Sequence, residues 1–238
     1  MKLSIIIPVH NEENCISDVI KQLLAIIISE KIDYEIVVVN DASTDSTGKV
    51  LSEITENNPN IKIINKGNPT GFGLAIKEGL KNFSGDAVTI VMGDGSDDPE
   101  DIIKYYKKIC EGYDCVFGSR FITGSNVIKY PEFKLRLNRF GNYFISKFFS
   151  IKHNDITNAF KCYSSEIIKK ILPLNSNGFE ITIEMPLKMI LFYNCKFATV
   201  PINWYGRKAG KSKMKILVAL FSYLKTALII RFNYLWRK

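Results

Sequence analysis

Short apolar runs alternate with amphipathic stretches along the first 120 residues, and this alternation limits the folds open to the chain. The runs cover residues 3–9, 35–39, 61–64, 86–92 and 114–117. Between them, apolar residues recur at helical spacing, as in Ile16, Val19, Ile20 and Leu23. Strands joined by crossover helices form a mainly parallel sheet with helices on both faces. The sequence therefore predicts an α/β fold.

The pattern loosens after residue 120. We expect a mobile loop over residues 121–137, helices over 138–149 and 163–172, a further helix within 175–193 and a strand over 195–202. Pro173 ends the second of these helices. Residues 1–214 are expected to form one domain, followed by a terminal helix within residues 215–238.

Composition indicates an ordinary folded protein of 238 residues, with 46% hydrophobic and 24% charged residues. Its five cysteines are odd in number and form no CxxC pair, which disfavours a disulfide framework or a zinc site and favours a reducing compartment. The opening MKLSIIIPVHNEE is not typical of a signal peptide, because its apolar run is short and acidic residues follow at once. These features predict a cytosolic location.

The net charge of +8 is unevenly distributed along the chain. Residues 207–238 hold nine basic residues and no acidic one. A basic balance suits nucleic acid, an anionic membrane or phosphate-bearing substrates. The basic residues concentrate in an apolar helix and not beside exposed aromatic residues on a groove, so nucleic-acid binding is not expected.

Residues 216–236 are the candidate membrane element. Lys225 and Arg231 interrupt the apolar run, which therefore falls short of the ~18 residues expected of a spanning helix. A stripe of polar residues is predicted at positions Lys215, Ser222, Lys225, Thr226 and Asn233. The pattern predicts a basic amphipathic helix lying in the plane of an anionic membrane surface. Packing on the protein's own core, on another subunit or on a membrane protein partner remains an alternative.

Polar residues follow four of the predicted strands directly. They are the segments 8–12 (PVHNE), 40–43 (NDAS), 93–98 (GDGSDD) and 118–120 (GSR). Ligands of open parallel sheets bind beyond the carboxyl ends of the strands. Any one cluster is explained by turn chemistry, whereas four clusters at the same edge predict a ligand site.

The acidic cluster is the most specific of these signals. Asp94, Asp97 and Asp98 repel one another unless a cation or hydrogen-bond donors neutralise them. Mg²⁺ or Mn²⁺, held by one or two carboxylates and completed by phosphate oxygens and water, provides that neutralisation. Asp94 and Asp97 are the predicted metal ligands. Asp98 has a competing interpretation as the N-cap of a helix that begins at Pro99.

Other catalytic motifs give weak or negative signals. Gly71 and Gly73 stand at the start of a predicted helix over 71–81 and suggest a phosphate-binding turn, but Ile76 stands where a dinucleotide fingerprint requires glycine. The chain has two histidines and no GxSxG, HExxH or P-loop motif. A Rossmann cofactor site and nucleophilic hydrolase chemistry are therefore not expected.

The segments IIIPVHNEE, VVVNDASTDST, GFGLAIKEGL, MGDGSDDPED and GSRF resemble the family 2 glycosyltransferases of the GT-A fold. Three later motifs, DITNAFK at 155–161, GFE at 178–180 and RKAGKSK at 207–213, are similar to those of dolichol-phosphate mannosyltransferases and related polyprenyl-phosphate glycosyltransferases. The match runs from about residue 3 to residue 214. The resemblance implies a three-layer GT-A catalytic domain over residues 1–214.

The same resemblance implies a metal-dependent, inverting transfer. The sugar would come from a nucleotide sugar of the GDP-mannose or UDP-glucose type and pass to a polyprenyl or dolichyl phosphate. The protein would act as a peripheral protein at the cytoplasmic face of a membrane.

The resemblance also assigns roles to individual residues. The nucleotide pocket would use Pro8, Asn11, Glu12 and Asp41, together with the glycines Gly71 and Gly73. Asp94 and Asp97 would hold the metal and the diphosphate, helped by Arg207 and Lys213. Arg120, with Lys134 or Arg136, would bind the acceptor phosphate. One departure is that the DxD aspartates of the family fall on Gly93 and Gly95, so that Asp94 occupies the middle position.

Three other functions remain open at this point. A family 2 transferase that uses a saccharide or glycolipid hydroxyl would need a general base, for which Asp97 is the candidate. A nucleotidyltransferase of similar layout would release pyrophosphate instead of a nucleoside diphosphate. A non-catalytic protein would bind nucleotide sugar without turnover.

Overall fold

The computed structural model describes residues 1–56, 58–207 and 216–237. Its strands are β1 (Leu3–Val9), β2 (Tyr34–Asp41), β3 (Ile61–Lys66), β4 (Ala87–Ile90), β5 (Cys115–Ser119), β6 (Asn126–Ile128), β7 (Lys161–Ser164), β8 (Phe197–Pro201) and β9 (Asn203–Tyr205). Its helices are α1 (Ile16–Ser29), α2 (Thr47–Thr55), α3 (Phe72–Asn82), α4 (Asp101–Cys110), α5 (Glu132–Phe149), α6 (Ser165–Ile171), α7 (Ile181–Tyr193) and α8 (Ile216–Trp236).

Seven strands form the central sheet, in the order β3-β2-β1-β4-β7-β5-β8. Strands β1, β2, β3 and β4 pair in parallel, as do β5 and β8, whereas β7 runs antiparallel to both of its neighbours. Strands β6 and β9 form a separate parallel pair. The carboxyl ends of β1, β2, β4 and β5 therefore share one edge of the sheet, where the polar segments were predicted to meet.

Helices cover both faces of the sheet. Side chains alternate along β1, so that Ile5 and Ile7 pack on one side and Ile6 on the other. Helices α1, α2 and α4 bury their apolar residues against the first side, and α3, α6 and α7 against the second. This three-layer arrangement confirms the predicted α/β fold with a mainly parallel sheet.

A third apolar cluster joins helices α5, α7 and α8. Ile145 and Phe149 of α5 pack with Ile183 and Leu187 of α7, and α8 adds Ala227 and Ile230. Tyr223 of α8 also shares a hydrogen bond with Thr182 at the start of α7 (3.1 Å). The terminal helix is thereby fixed to the rest of the protein along one side.

The structure departs from the sequence prediction at three places. The expected loop over 121–137 is wrong in part, since it contains β6 and the first residues of α5. Strand β7 was not predicted; its last two residues, Tyr163 and Ser164, fall in the stretch 163–172 that was assigned to a helix, and the helix is shortened to α6. Helix α4 begins at Asp101 and not at Pro99, so Asp98 is not its N-cap.

Helix α8 is present as expected, but its exposed surface is more apolar than an amphipathic pattern predicts. The large exposed side chains on it are Leu217, Val218, Leu220, Phe221, Leu224, Leu228, Ile229, Phe232, Leu235 and Trp236. Ser222 and Thr226 of the predicted polar stripe are instead half-buried. By length and composition alone, Leu217–Trp236 could cross a membrane, with a mean hydropathy of 1.2. The sequence prediction had disfavoured a spanning helix, because Lys225 and Arg231 interrupt the apolar run.

The carboxylate of Glu35, on β2, accepts hydrogen bonds from Ser4 and Ser84, and acid should weaken these contacts by protonating it. Burial opposes the ionisation of Glu35, but hydrogen bonds from Ser4 and Ser84 outweigh it and lower the pKa of Glu35 to about 2. Because the folded pKa lies below the ordinary value of 4.5, the carboxylate stabilises the fold above that value. We expect this stabilisation to disappear as the pH falls from 4.5 towards 2. Urea unfolding of the wild type and of Glu35→Gln should converge over that range, and a constant difference between them would contradict the assignment.

Candidate active site

The loop after β1 is fastened to the loop after β2. Asn11 has a positive φ of 55°, and its side-chain oxygen accepts a hydrogen bond from the backbone N–H of Thr44 (2.7 Å). Its own N–H donates to Ser43 Oγ (3.0 Å), and the N–H of Glu12 donates to Thr47 Oγ1 (2.8 Å). Pro8 is buried within β1, opposite Val39. These contacts place Asn11 and Glu12 at the edge of the sheet, as predicted.

Asp41, at the end of β2, is buried and holds the start of α3. Lys66 Nζ contacts its Oδ1 (2.8 Å), and the backbone N–H of Gly71 donates to its Oδ2 (2.7 Å). His10 Nδ1 lies 2.7 Å from the carbonyl oxygen of Asp41. The carboxylate therefore organises the edge of the sheet, and a contact with a base or ribose stays a prediction.

The glycines before α3 allow a close approach of two backbones. A Cβ on Gly73 would lie 2.7 Å from the carbonyl carbon of Asn177 and 2.8 Å from the carbonyl oxygens of Ser176 and Gly178. The N–H of Leu74 donates to the Asn177 carbonyl (3.2 Å). The segment 176–178 thus occupies the position where the sequence suggested a phosphate. The structure explains Gly71 and Gly73 by packing, and their contact with a nucleotide stays a prediction.

Asp94, in the acidic loop after β4, and Glu12, in the loop after β1, both contact the side chain of Arg207. Gly95 has a positive φ of 72°, a region that favours glycine, and Asp94 Oδ1 accepts the N–H of Ser96 (3.1 Å). Arg207 Nη2 lies 3.0 Å from Asp94 Oδ2 and 3.1 Å from Glu12 Oε1. Two carboxylates from β1 and β4 therefore converge on one guanidinium group.

Asp97 lies deeper, in the same loop. Burial and the neighbouring charge of Asp94 raise its pKa to about 7, although its Oδ2 accepts the N–H of Met92 (2.9 Å) and the charge of Arg120 acts in the opposite direction. A cation beside it would favour its ionised form. Within the described residues, no three His, Cys, Asp or Glu side chains form a complete metal site.

Strand β9 lies along the acidic loop. The N–H of Tyr205 donates to the Ser96 carbonyl (2.9 Å), and the backbones of Asp97 and Trp204 pair in an isolated antiparallel β-bridge. Asp98 Oδ2 accepts hydrogen bonds from Asn203 Nδ2 (2.9 Å) and the Tyr205 hydroxyl (3.3 Å). Asp98 thus anchors β9, and its other carboxylate oxygen accepts the N–H of Glu100 just before α4 (3.1 Å).

Arg120 is buried and forms an ion pair with another carboxylate, that of Asp155. Its Nε and Nη2 contact Asp155 Oδ2 and Oδ1 at 2.8 and 2.7 Å, and Nη2 also donates to Asn138 Oδ1 (3.2 Å). Burial disfavours its charge, but the charge of Asp155 outweighs burial and raises the pKa of Arg120. Its guanidinium carbon lies 6.0 Å from the centre of the Trp204 ring. The structure therefore shows Arg120 first as one half of a buried ion pair.

The other predicted phosphate-binding residues lie apart from this pair. Lys134 and Arg136 are exposed on α5, where Lys134 is one helical turn before Asn138 and so on the same face. Arg136 instead pairs with Glu132 (2.6 Å). Lys213 lies outside the described residues. Of the three, Lys134 is the one that the helix places beside the contacts of Arg120.

Two buried residues of the motif at 155–161 had no role assigned from sequence. Asp155 holds Arg120, as described, across 35 positions of the chain. Lys161 is fully buried, and its Nζ donates to the carbonyls of Ile156 (2.8 Å), Asn158 and Thr182. Burial lowers the pKa of Lys161 to about 7. Lys161 lies between the apolar residues Phe160 and Cys162 in the sequence, and this position was a sign that its side chain is buried. A buried lysine needs hydrogen-bond acceptors, which here are carbonyl groups of the segment that follows Asp155 and of Thr182.

Comparison with known proteins decides the family. The sequence profile of glycosyl transferase family 2 matches residues 4–172, more than half of the chain. The chain belongs to glycosyl transferase family 2. Dolichol-phosphate mannosyltransferase of Pyrococcus furiosus is 30% identical to this chain over 229 residues, which cover 94% of this chain and 62% of that protein. Polyprenol monophosphomannose synthase of Mycolicibacterium smegmatis is 29% identical over 187 residues, covering 75% and 69%.

Solved structures agree with the family 2 fold. Glucosyl-3-phosphoglycerate synthase from Mycobacterium tuberculosis, crystallised with Mn²⁺, uridine diphosphate and phosphoglyceric acid, superposes with a TM-score of 0.71 at 18% identity. The match covers 96% of this chain and 78% of that one. Its complex with Mg²⁺ and uridine diphosphate gives a TM-score of 0.70. The chain spans 62% of the length of its Pyrococcus furiosus relative.

Proposed function

We propose that this chain transfers a sugar from a nucleoside diphosphate sugar to a polyprenyl phosphate at a membrane surface. Two relatives in the same family carry the names dolichol-phosphate mannosyltransferase and polyprenol monophosphomannose synthase. The observation that carries the proposal is the convergence of Glu12 and Asp94 on the guanidinium of Arg207. Buried carboxylates held against a positive charge are suited to a site for cations and phosphates.

The acidic residues fit a divalent cation. The guanidinium of Arg207 stands where a cation satisfies Asp94 Oδ2 and Glu12 Oε1. Mg²⁺ or Mn²⁺ commonly uses one or two protein carboxylates and completes its shell with phosphate oxygens and water. Asp94, with Asp97 beside it, would hold the ion. When bound, the ion would stabilise the charge that develops on the leaving diphosphate.

The reaction forms a bond between the anomeric carbon and an acceptor oxygen and breaks the bond from that carbon to the diphosphate. In-line attack would invert the anomeric configuration, and the nucleoside diphosphate would leave. Arg207 would then contact the departing diphosphate, because its guanidinium already lies beside Asp94. Lys213 is proposed for the same purpose from its place in the basic segment.

A phosphate acceptor does not require a general base, since it is already ionised near neutral pH. Its requirement is positioning. Arg120 lies at the carboxyl end of β5 and its charge is felt by Asp97, while Lys134 shares a helix face with Asn138. These two cations are the proposed phosphate contacts, and Arg136 is the weaker candidate because Glu132 already pairs with it.

A screen of nucleotide sugars with Mn²⁺ and a short polyprenyl phosphate, read by mass spectrometry, tests the proposal. The expected products are a polyprenyl-phosphate sugar and a nucleoside diphosphate. Release of pyrophosphate would instead identify a nucleotidyltransferase. Binding of nucleotide sugar without any turnover would contradict an enzymatic function.

A hydroxyl acceptor on a saccharide or glycolipid is the second candidate. It would require a base, and the pKa of about 7 gives Asp97 a substantial ionised fraction at neutral pH. The same screen separates the two acceptors. Transfer to a saccharide but not to polyprenyl phosphate would favour this second function.

The exposed face of α8 supports a membrane location, which we propose is on the cytoplasmic side. Replacing Phe221, Leu228 and Phe232 together with Ser should reduce binding to anionic vesicles by about tenfold or more, because interfacial binding scales with buried apolar area. The side of α8 that packs on α7 is left intact, whereas removal of the helix would expose Ile183 and Leu187. Vesicle sedimentation is the measurement, with Ile28→Ser on the exposed side of α1 as the matched control. Unchanged sedimentation of the triple variant would exclude α8 as the anchor.

A further inference from the structure

Helix α5 has two faces of different character. Its inner face carries Asn138, which accepts a hydrogen bond from Arg120, and Asn142, which donates to the side chains of Thr157 (2.8 Å) and Asp155 (3.4 Å). Ile145 and Phe149 continue this face into the cluster with α7 and α8. One side of α5 is therefore built into the surroundings of the Arg120–Asp155 pair.

The opposite face of α5 exposes large apolar side chains. Phe133 is 74% exposed, Phe140 68% and Phe144 48%, and Leu137 lies among them. The spacing 133, 137, 140, 144 puts all four on one stripe of the helix. Soluble surfaces rarely expose such a continuous aromatic stripe, and a stripe of this kind marks an interaction site.

Charge around the stripe indicates what covers it. Helix α5 contains one acidic residue, Glu132, and four exposed basic ones: Lys134, Arg136, Arg139 and Lys147. Aromatic residues flanked by lysine and arginine suit the headgroup region of an anionic bilayer. A second copy of the chain would bring the same basic charges together, which opposes self-association through this face.

The stripe adjoins α8 through Phe148, whose ring stacks on that of Phe144 with the ring centres 5.9 Å apart. The guanidinium carbon of Arg231 on α8 lies 5.6 Å from the ring centre of Phe148 on α5. Both residues are half-buried, at the margin between the shared apolar cluster and the exposed side chains of each helix. The two helices therefore meet beside one end of the stripe, and α8 carries no acidic residue there.

We propose that α5 is a second lipid-contacting helix, which inserts its Phe133–Phe140–Phe144 stripe into an anionic bilayer. This inference rests on the proposed action at a membrane surface. Through Asn138 and Asn142, the same helix sets the position of Arg120 relative to the headgroups. The bilayer then presents a lipid phosphate to the edge of the site that carries Arg120. Helix α5 fixes the distance between Arg120 and the bilayer surface.

An environment-sensitive fluorophore on α5 tests the proposal. Cys110 is the exposed cysteine and the other four are buried, so Cys110→Ser provides the background for labelling at Phe140→Cys. A nitrobenzoxadiazole label there should shift to the blue with vesicles of phosphatidylcholine containing about 30% phosphatidylglycerol. The matched label at Ile28→Cys, on exposed α1, should remain in water.

A substitution series measures the contribution of the stripe. The variant with Phe133, Phe140 and Phe144 all replaced by Ser should lose at least about tenfold in vesicle partitioning, and Ile28→Ser should not. Circular dichroism should remain that of the wild type, since these side chains make no part of the apolar clusters.

The outcomes separate this inference from the broader proposal. If the protein binds vesicles but the label at position 140 stays in water, α5 is not in contact with lipid and only α8 anchors the chain. If the label is already shifted without vesicles and the protein elutes as a dimer, a second copy covers the stripe. If no vesicle binding occurs at all, both this inference and the proposed membrane location fail, while sugar transfer to a soluble short-chain polyprenyl phosphate would still support the catalytic function.

Discussion

Asp94→Asn should lower sugar transfer by about a hundredfold to a thousandfold, the usual cost of removing one preorganised electrostatic contact from an active site. The amide keeps the size of the side chain and an oxygen that can accept the N–H of Ser96. What it loses is the negative charge at Oδ2, where Arg207 now lies. The fold should survive, because the substitution keeps the shape of the buried side chain and the loop is also held by the contacts of Asp98 with β9.

Two measurements are needed to interpret that result. Initial rates with Mn²⁺ give the loss of transfer, and thermal unfolding shows whether the loss is due to misfolding. Asp18→Asn, an exposed aspartate in the first turn of α1, removes the same charge far from the site and should leave the rate unchanged. Near-normal turnover by Asp94→Asn would refute its role in holding a cation.

Breaking the Arg120–Asp155 pair should have the largest effect on stability. Asp155 is fully buried and holds two guanidinium nitrogens and the backbone N–H of Arg120. Asp155→Leu leaves a buried arginine without its counter-ion, for which we expect a loss of about 3–5 kcal/mol in the free energy of unfolding. Arg120→Ala would leave the buried Asp155 without its counter-ion, although the backbone N–H of residue 120 would still donate to it, so a loss of activity in that variant alone does not identify a phosphate contact.

The double variant Arg120→Met with Asp155→Leu separates stability from function. Replacing both members of a buried pair with apolar residues is often close to neutral for stability. We therefore expect urea unfolding of the double variant to recover much of the stability lost in Asp155→Leu. Acceptor use should remain impaired while donor hydrolysis persists. Recovery of lipid-phosphate glycosylation in the double variant would show that Arg120 serves the fold alone.

The first half of the fold was predictable because its signals are local. The apolar run of β1 and the helical spacing of apolar residues in α1 each depend on neighbouring residues, and the parallel sheet follows from the order of such elements. Strand β7 was missed for the opposite reason. It is four residues long and becomes a strand only by pairing with β4 and β5, and its first residue, Lys161, is a charged side chain that the interior accommodates with three carbonyl groups.

The part of the site that is formed by residues directly after the strands was predictable. The rule that ligands lie beyond strand ends brought Glu12 and Asp94 to the same place, and the structure joins them through Arg207. The partners of Arg120 could not be predicted, because Asn138 and Asp155 come from segments whose approach depends on how α5 packs. The contact of Gly73 with Asn177 is equally remote in sequence and leaves no local pattern.

Tyr205 and Asn203 are fastened to the loop of Asp98 by three hydrogen bonds, and Arg207 follows only two residues later. Bringing a cation to Asp94 from 113 positions along the chain would ordinarily require closing a long loop at an entropic cost. Here the contacts of β9 with the acidic loop have already closed that long loop. Placing Arg207 beside Asp94 therefore restricts only the two residues that follow Tyr205. The acidic site thereby obtains its arginine almost as if the two had been neighbours in the sequence.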